Sequence, residues 1–480
     1  MKHLLLIPFF SVILSVGNPL LFSNTLESEW DYDAFSPIYS APAVDADGSI
    51  YFSTLDGELY SLTTDGTLRW VYTDSTDMLE STVAIGPDGT LYLGSWDNHL
   101  HAIDADSGTQ LWHYETGSYI AGSPAVDDQG YIYFGSADGI FYALNPDGSL
   151  EWAFVGAGEF EASPALGPQG NIYIGDSTGV LYALDSANGE LLWETDLAAE
   201  SPDPERDHGI YSSAAIAANG QVYVASRNHQ LYALDANGAL LWSFAADEPI
   251  DSSPVIGFAN RVHIASYDGN LYALDPQGSL VWQQFVGDVL LSSPVIDEAG
   301  NTLIVGYAGD GISAIQKFDL QGGLVWEEFW PALNDASPAL SPEGQLSVAF
   351  HDGFVQAFDN VEGPAATAWP QFNRNAMRNA FLSAEFRQSS HGYFQVASVQ
   401  EGGWQRDPAF GWIYTADFPW VYSAHWGWSW FFGAGTPLYW FQSVEPSEVF
   451  YSDTSLLPWL WLPDAGTPAF FHPHSGLHRL

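Results

Sequence analysis

The stretch Leu271-Tyr-Ala-Leu-Asp-Pro-Gln-Gly-Ser-Leu-Val-Trp282 decides the fold, because close variants of it recur along most of the chain. Successive copies place a tryptophan every 40 to 49 residues. The aligned tryptophans are Trp30, Trp70, Trp112, Trp152, Trp193, Trp242, Trp282, Trp326 and Trp369. Eight intervals between nine tryptophans predict eight structural repeats.

The repeat that ends at Trp282 contains four short apolar runs, at residues 253–256, 262–266, 271–274 and 280–282. Turns that combine Gly with Asp or Asn separate the later runs, as in tight hairpins. A period near 40 residues with four short strands is typical of a propeller blade. One four-stranded meander cannot bury both of its faces, so the repeats must pack side by side and close a ring. The sequence therefore predicts an all-β protein with an eight-bladed propeller of four-stranded antiparallel blades.

Two segments could supply the last strand of the ring. Trp30 lies 11 residues before Ala41, where the first run of the first repeat begins, and most repeat tryptophans precede the next repeat by the same interval. Residues 28–38 could therefore complete the eighth blade, or Trp369 could fill that place. We favour the N-terminal segment, with Trp369 capping the blade nearby.

Composition limits the class of partner. The chain has 59 acidic and 11 basic residues and a formal charge of −48, which disfavours nucleic acid and anionic lipid because both would be repelled.

Residues 1–23 resemble an export signal, and a broken apolar run argues against an uncleaved membrane anchor. The chain has no cysteine, which excludes disulfides and a lipoprotein anchor. We therefore expect a monomer that does not span the membrane and is periplasmic, cell-surface or extracellular.

The repeats resemble the pyrroloquinoline quinone (PQQ) enzyme repeat, in which Leu-Tyr-Ala-Leu-Asp precedes a Gly turn and Leu-x-Trp. Residues 181–185, 231–235 and 271–275 match this pattern closely. The resemblance implies an eight-bladed propeller in which each tryptophan docks between blades. PQQ dehydrogenases of this superfamily use a vicinal Cys-Cys disulfide, calcium and a catalytic Asp, and this chain has no cysteine. It is therefore more similar to the non-catalytic branch, which includes the propeller lipoproteins of the barrel-assembly machinery.

The favoured function is an exported, non-catalytic scaffold that binds an envelope protein or a glycan, with no cofactor. A PQQ-dependent oxidoreductase and a carbohydrate-binding protein are the alternatives.

Two features within the repeats could mark a site. An insertion around His208 could contribute to a ligand surface. Four acids, one on every second repeat, could ring the axis and hold calcium; these are Glu80, Glu161, Asp251 and Asp335.

The composition changes after the repeats, which predicts four segments: a signal peptide (1–23), the propeller (24–369), a linker (370–390) and a small β module (391–480). The linker region carries Arg374, Arg378 and Arg387, and the module holds nine of the twenty tryptophans. Aromatics on short strands are common in small cores, and they also form sugar-stacking surfaces. A planar exposed row of Trp412, Trp420 and Trp428 would indicate the second role.

Overall fold

A computed structural model describes residues 28–364 except 168, 169, 202, 360 and 362, together with seven strands between residues 404 and 479. The chain divides into two compact units, Met1–Leu382 and Ser383–Leu480. In the first unit, eight four-stranded antiparallel sheets confirm the predicted all-β propeller. The described residues include one short 3-10 turn, Phe258–Asn260, and none of their helices could cross a bilayer.

The first strand among the described residues is β1 (Trp30–Asp33). Blade 1 contains β2 (Ala43–Val44), β3 (Ile50–Ser53), β4 (Leu59–Leu62) and β5 (Leu68–Tyr72), and blade 2 contains β6 (Ala84–Ile85), β7 (Thr90–Gly94), β8 (His99–Asp104) and β9 (Gln110–Glu115). Blade 3 contains β10 (Ala125–Val126), β11 (Ile132–Gly135), β12 (Ile140–Leu144) and β13 (Leu150–Val155). Blade 4 contains β14 (Ala165–Leu166), β15 (Asn171–Gly175), β16 (Val180–Asp185) and β17 (Leu191–Asp196).

Blade 5 contains β18 (Ala215–Ile216), β19 (Val222–Ser226), β20 (Gln230–Leu234) and β21 (Leu240–Ala245). Blade 6 contains β22 (Val255–Ile256), β23 (Val262–Ala265), β24 (Asn270–Leu274) and β25 (Leu280–Phe285). Blade 7 contains β26 (Val295–Ile296), β27 (Thr302–Tyr307), β28 (Ser313–Phe318) and β29 (Leu324–Trp330). Blade 8 contains β30 (Ala339–Leu340), β31 (Leu346–Ala349) and β32 (Phe354–Phe358), and its fourth strand is β1.

Pairing between the two ends of the repeat region closes the ring. Trp30 lies opposite Ala357, and Asp33 lies opposite Phe354, in an antiparallel register without a bulge. The N-terminal segment therefore supplies the last outer strand, which is the alternative that the tryptophan spacing favoured. Trp369 lies outside the described residues.

The strand order explains where the core lies. In each blade the two-residue first strand is innermost and buried. First strands contact each other between blades 2 and 3, between blades 6 and 7, and between blades 8 and 1. Outer strands alternate instead: Trp112 and Tyr114 of β9 pack on a core cluster shared with blade 3, whereas Leu111, His113 and Glu115 face solvent. This period of two is the one expected for a half-buried strand. The apolar cores thus lie between blades.

The repeated tryptophans join each outer strand to the next blade. Seven indole N–H groups donate to a carbonyl oxygen in the third turn of the following blade, over 2.8–3.3 Å; the donors are Trp30, Trp70, Trp112, Trp152, Trp193, Trp242 and Trp282. Trp326 packs against the cluster between blades 7 and 8. One repeated contact therefore accounts for the spacing of about 40 residues.

In the second unit, the described residues form seven strands. β33 (Trp404–Asp407), β34 (Gly411–Tyr414), β35 (Trp420–Ser423) and β36 (Gly427–Trp430) form a four-stranded antiparallel sheet. β37 (Trp459–Leu462), β38 (Thr467–His472) and β39 (Gly476–Arg479) form a three-stranded sheet. The predicted signal peptide and linker fall outside the described residues.

Candidate functional site

The candidate site is one end of the central channel. At this end, the connection that enters each blade lies beside the turn that follows the blade's second strand. Backbone bonds fix the arrangement: the amide of Trp96 donates to the carbonyl of Met78, and that of Tyr267 to the carbonyl of Pro249. We call this end the channel mouth and define it by Tyr39, Glu80, Trp96, Tyr119, Glu161, Tyr211, Arg227, Asp251, Tyr267, Asp335 and His351. All eleven are partly buried.

On one side of the mouth, two carboxylates hold a stacked aromatic pair. The rings of Trp96 and Tyr119 lie 4.5 Å apart with an interplanar angle of 12°. The Trp96 indole N–H donates to Glu80 over 2.9 Å, and the Tyr119 hydroxyl donates to Glu161 over 2.6 Å. Each ring is therefore oriented by an acid that the sequence singled out, and the pair links the second, third and fourth blades.

Glu80 shows that acids of different blades face one another across the mouth. Burial raises the pKa of its carboxyl, against the hydrogen bond from Trp96, and the negative charges of Glu161 and Asp335 raise the pKa further. These two acids belong to the connections two blades away on either side. Both acids therefore lie close enough to Glu80 to affect its ionisation.

A cationic side chain neutralises part of the mouth at blade 5. Arg227 makes a bidentate contact with Asp251, with nitrogen–oxygen distances of 2.8–3.1 Å, and its guanidinium lies 4.3 Å from the centre of the Tyr211 ring. The Tyr267 hydroxyl donates to the same carboxylate. Hydrogen bonding to Asp251, opposed by desolvation, raises the pKa of Arg227. This part of the mouth is therefore a fixed ion pair on an aromatic support.

At the junction of blades 8 and 1, Tyr39 stacks on His351 with ring centres 4.0 Å apart. His351 Nε2 lies 3.2 Å from Asp335 Oδ2, an ion-pair distance without hydrogen-bond geometry. Burial raises the pKa of Tyr39, and the charges of Asp335 and Glu80 add to the effect. The stack with Tyr39 therefore places His351 at the mouth.

The four predicted calcium ligands do not form one ligand set. Each acid contacts a different side chain: Glu80 contacts Trp96, and Glu161 contacts Tyr119. Asp251 contacts Arg227, and Asp335 contacts His351. Within the described residues, no group of three His, Asp or Glu side chains could hold a metal ion. Calcium would have to draw these carboxylates from existing partners, and its binding stays a prediction.

No cysteine is available for the disulfide that the resemblance implies under PQQ, and the absence of this cofactor stays a prediction. His208, the other candidate in the repeats, lies on the insertion between blades 4 and 5. Its carbonyl accepts from the Ser226 hydroxyl over 2.9 Å, and its Nδ1 is buried without a hydrogen-bond partner. His208 therefore stabilises the connection between blades 4 and 5 and takes no part in the aromatic contacts of the channel mouth described above.

Sequence reasoning found the acids but missed their partners. Most of the partners occupy the position one or two residues after a blade's second strand, where Trp96, Arg227, Tyr267 and His351 stand, whereas Tyr119 lies in the connection that enters blade 3. Aligning that column across repeats would have shown four large polar or aromatic side chains beside the acidic column. The predicted surface residues Trp412, Trp420 and Trp428 lie in β34, β35 and β36 of the second unit.

Comparisons with known proteins identify the repeat. The family model described as outer membrane protein assembly factor BamB matches residues 76–226 and 177–348. BamB from Moraxella catarrhalis, a solved structure, aligns with a TM-score of 0.59 and 20% identity, over 70% of this chain and all of that one. This likeness supports the fold alone. No curated protein matches significantly. Since the family model covers more than half of the sequence, the chain belongs to the BamB family of PQQ-like propellers.

Proposed function

We propose that this chain is an exported, non-catalytic scaffold whose channel mouth binds a partner protein in the cell envelope. Its family membership supports a role in protein interaction. The observation that carries the site is the stacked pair Trp96 and Tyr119, held by the carboxylates of Glu80 and Glu161. Flat apolar rings beside fixed charges suit a peptide segment, because both its backbone and its side chains find contacts.

The charge of the mouth selects a basic segment. Four carboxylates face one opposite charge, Arg227, which Asp251 already engages. The raised pKa of Glu80, caused first by burial and then by neighbouring acids, supports a site where a cation would relieve repulsion. An Arg or Lys side chain could also lie over the exposed parts of the aromatic rings.

The first experiment measures binding of a hexa-arginine peptide by calorimetry at low and moderate salt. Replacing Glu80→Gln and Glu161→Gln together should weaken binding about tenfold, since two charges near the ligand are lost. The matched control is Glu115→Gln with Glu194→Gln, which removes two exposed charges from outer strands. The control should change affinity less than about twofold. Equal loss in both variants would mean that overall charge, not the mouth, attracts the peptide.

The cellular part of the proposal is tested with a photo-cross-linking residue. One variant carries it at Tyr119 in the mouth, and the other at Glu194 on the exposed outer strand of blade 4. We expect a discrete envelope-protein adduct from position 119 only, in the exported fraction. Adducts of equal yield from both positions, or a chain retained in the cytoplasm, would contradict the respective parts of the proposal.

A second candidate function rests on the register of the C-terminal sheet. Directly opposite residues share a face, and so do residues two apart on a strand. Trp412 pairs with Arg406, Tyr414 with Trp420, and Tyr422 with Trp428. Together with the remaining pairs, the register puts on one face Trp404, Arg406, Trp412, Tyr414, Trp420, Tyr422, Trp428 and Trp430. A face with five tryptophans favours glycan binding by the second unit.

Sedimentation with purified peptidoglycan tests this function. The triple variant Trp412→Ala, Trp420→Ala, Trp428→Ala should lose binding, because stacking area is removed from one face. Ser429→Ala lies on the opposite face, next to Trp428 in sequence, and should bind as the parent does. Since the triple variant could fail to fold, the single change Trp420→Phe is measured as well, and it should weaken binding partially. Unchanged sedimentation of a folded triple variant would reject the glycan surface.

A further inference from the structure

A chain of hydrogen bonds joins neighbouring blades at the inner wall. The residue two before each first strand is an anchor, and its amide donates to the side-chain hydroxyl of the anchor in the next blade. Six such bonds, 2.8–3.1 Å long, link Ala41 to Thr82, Thr82 to Ser123, Ser123 to Ser163, Ser213 to Ser253, Ser253 to Ser293, and Ser293 to Ser337. We call this series the inner clasp.

The inner clasp is interrupted twice. Between blades 4 and 5, the amide of Ser163 does not bond Ser213, whose hydroxyl oxygen is buried and has no partner. Between blades 8 and 1, the acceptor position is Ala41, which carries no hydroxyl to receive the amide of Ser337. The interruptions are four blades apart, so the clasp joins blades 1–4 and blades 5–8 as two separate sets. We call the two interrupted junctions the seams.

Both seams remain held at the outer rim. At one, the Trp193 indole donates to the Ala236 carbonyl over 3.1 Å. At the other, the Trp30 indole donates to the Thr64 carbonyl over 2.8 Å. An outer bond without its inner counterpart is the arrangement of a hinge whose pivot lies at the rim and whose inner side can separate.

The connections at the seams are also irregular. The insertion that contains His208 lies between blades 4 and 5, and blade 8 reaches blade 1 through β1, which has four residues where the outer strands of blades 2 to 6 have six. Two tyrosines of the channel mouth, Tyr211 and Tyr39, stand two residues before the anchors at these seams. Any separation at the inner side would therefore move the mouth.

We infer that the propeller flexes as two four-blade halves about these seams, so that the channel mouth widens along the line between Tyr39 and Tyr211. Within each half, three clasp bonds oppose relative motion of the blades. At each seam the corresponding bond is absent, so opening there breaks one inner hydrogen bond fewer than at a clasped junction. Local opening follows the least stabilised boundaries of a fold.

Hydrogen exchange measured by mass spectrometry on the full chain tests this inference. Peptides that resolve the amides of Ser163 and Ser337 should exchange at least about tenfold faster than those that resolve Ser123 and Ser253, because the latter are clasped. Ala41→Ser supplies the missing hydroxyl and should slow exchange at Ser337 about tenfold, with no change at Ser163. Equal protection at all four amides would overturn the inference.

Ser253→Ala serves as the matched variant, since it removes a clasp bond inside one half. It should bring exchange at Ser213 to the rate of the seam amides, which shows that the assay reports the clasp. Because Ala41→Ser fills a buried position, its melting temperature is recorded beside its exchange. A stable Ala41→Ser protein in which Ser337 still exchanges at the parent rate would also overturn the inference.

Discussion

The indole nitrogen of Trp152 donates a 2.9 Å hydrogen bond to the carbonyl oxygen of Ser186 in the next blade, and its ring covers Gly189. Gly189 has φ +70°, and a Cβ there would lie 2.5 Å from Trp152 Cε3. The turn thus needs glycine for its backbone conformation and for the approach of the ring. The same contact recurs in six other blades, at Gly66, Gly108, Gly148, Gly238, Gly278 and Gly322.

Gly189→Ala should lower the free energy of unfolding by about 2–5 kcal/mol, because backbone strain adds to the overlap with Trp152. The matched control is Gly89→Ala: Gly89 has φ +84°, but a Cβ there would meet no atom within 4 Å. Strain alone should cost about 1–2 kcal/mol. Urea unfolding measures both, and equal losses would show that the ring contact contributes nothing.

Ser253→Ala should destabilise the propeller by about 1–3 kcal/mol, since it leaves the buried amide of Ser213 without its acceptor. Ser213→Ala should be nearly neutral, because the hydroxyl of Ser213 has no hydrogen-bond partner. The two serines are equally buried members of the same column, so urea unfolding compares them directly. A larger loss from Ser213→Ala would contradict this account.

His263 should make stability fall in acid. It is buried against Trp282 and contacts the Thr302 hydroxyl over 3.1 Å, and burial lowers its pKa to about 3. In the unfolded chain this imidazole has a pKa of about 6.5. At pH values between that pKa and the folded one, the imidazole is protonated in the unfolded chain and neutral in the folded protein. Stability is therefore complete above pH 6.5 and decreases by about 1.4 kcal/mol per pH unit below it.

Unfolding curves between pH 7 and pH 4 should show this slope in the parent and a smaller slope in His263→Gln. The control is His113→Gln, because His113 is exposed on the outer strand of blade 2. The control should retain the slope of the parent. If His263→Gln retains it as well, other groups cause the acid sensitivity.

Arg227→Gln should tighten binding of the hexa-arginine peptide by about two- to fivefold, because it frees the Asp251 carboxylate and removes the one guanidinium of the mouth. Arg261→Gln is the matched control. Arg261 donates to the Leu320 carbonyl in blade 7, outside the mouth. Calorimetry at fixed salt should show no tighter binding for this control, and weaker binding by Arg227→Gln would show that the guanidinium supports the peptide surface.

The fold was predictable because one contact repeats. Each blade must place its tryptophan on the next turn, so the spacing and the Gly turns recur in the sequence and reveal the blades. Ring closure was harder, since residues 28–38 and Trp369 both suited the last position. Only the pairing of Trp30 with Ala357 distinguishes them.

The site was less predictable because its contacts cross between columns of the repeat. The acids form one column, and Trp96, Tyr267 and His351 each stand 16 residues after the acid they contact. Tyr119 and Arg227 instead contact an acid of the following blade, and no spacing within the repeat indicates that choice. Neighbours across strands are also difficult to predict from the sequence. His101 lies opposite His113, and its ring forms a hydrogen bond with the hydroxyl of Tyr72 from blade 1. Such neighbours depend on three-dimensional packing of strands that are far apart in sequence.

The pairing of β1 with β32 has a consequence for how the protein reaches its native state. Trp30 meets Ala357, so β1 finds its partner only after the seven blades between the two strands have emerged. A contact of such long sequence separation closes slowly. A chain that is translocated from its N-terminus would carry an unpaired β edge throughout that process, and a general chaperone that covers extended segments would then be needed until the eighth blade arrives.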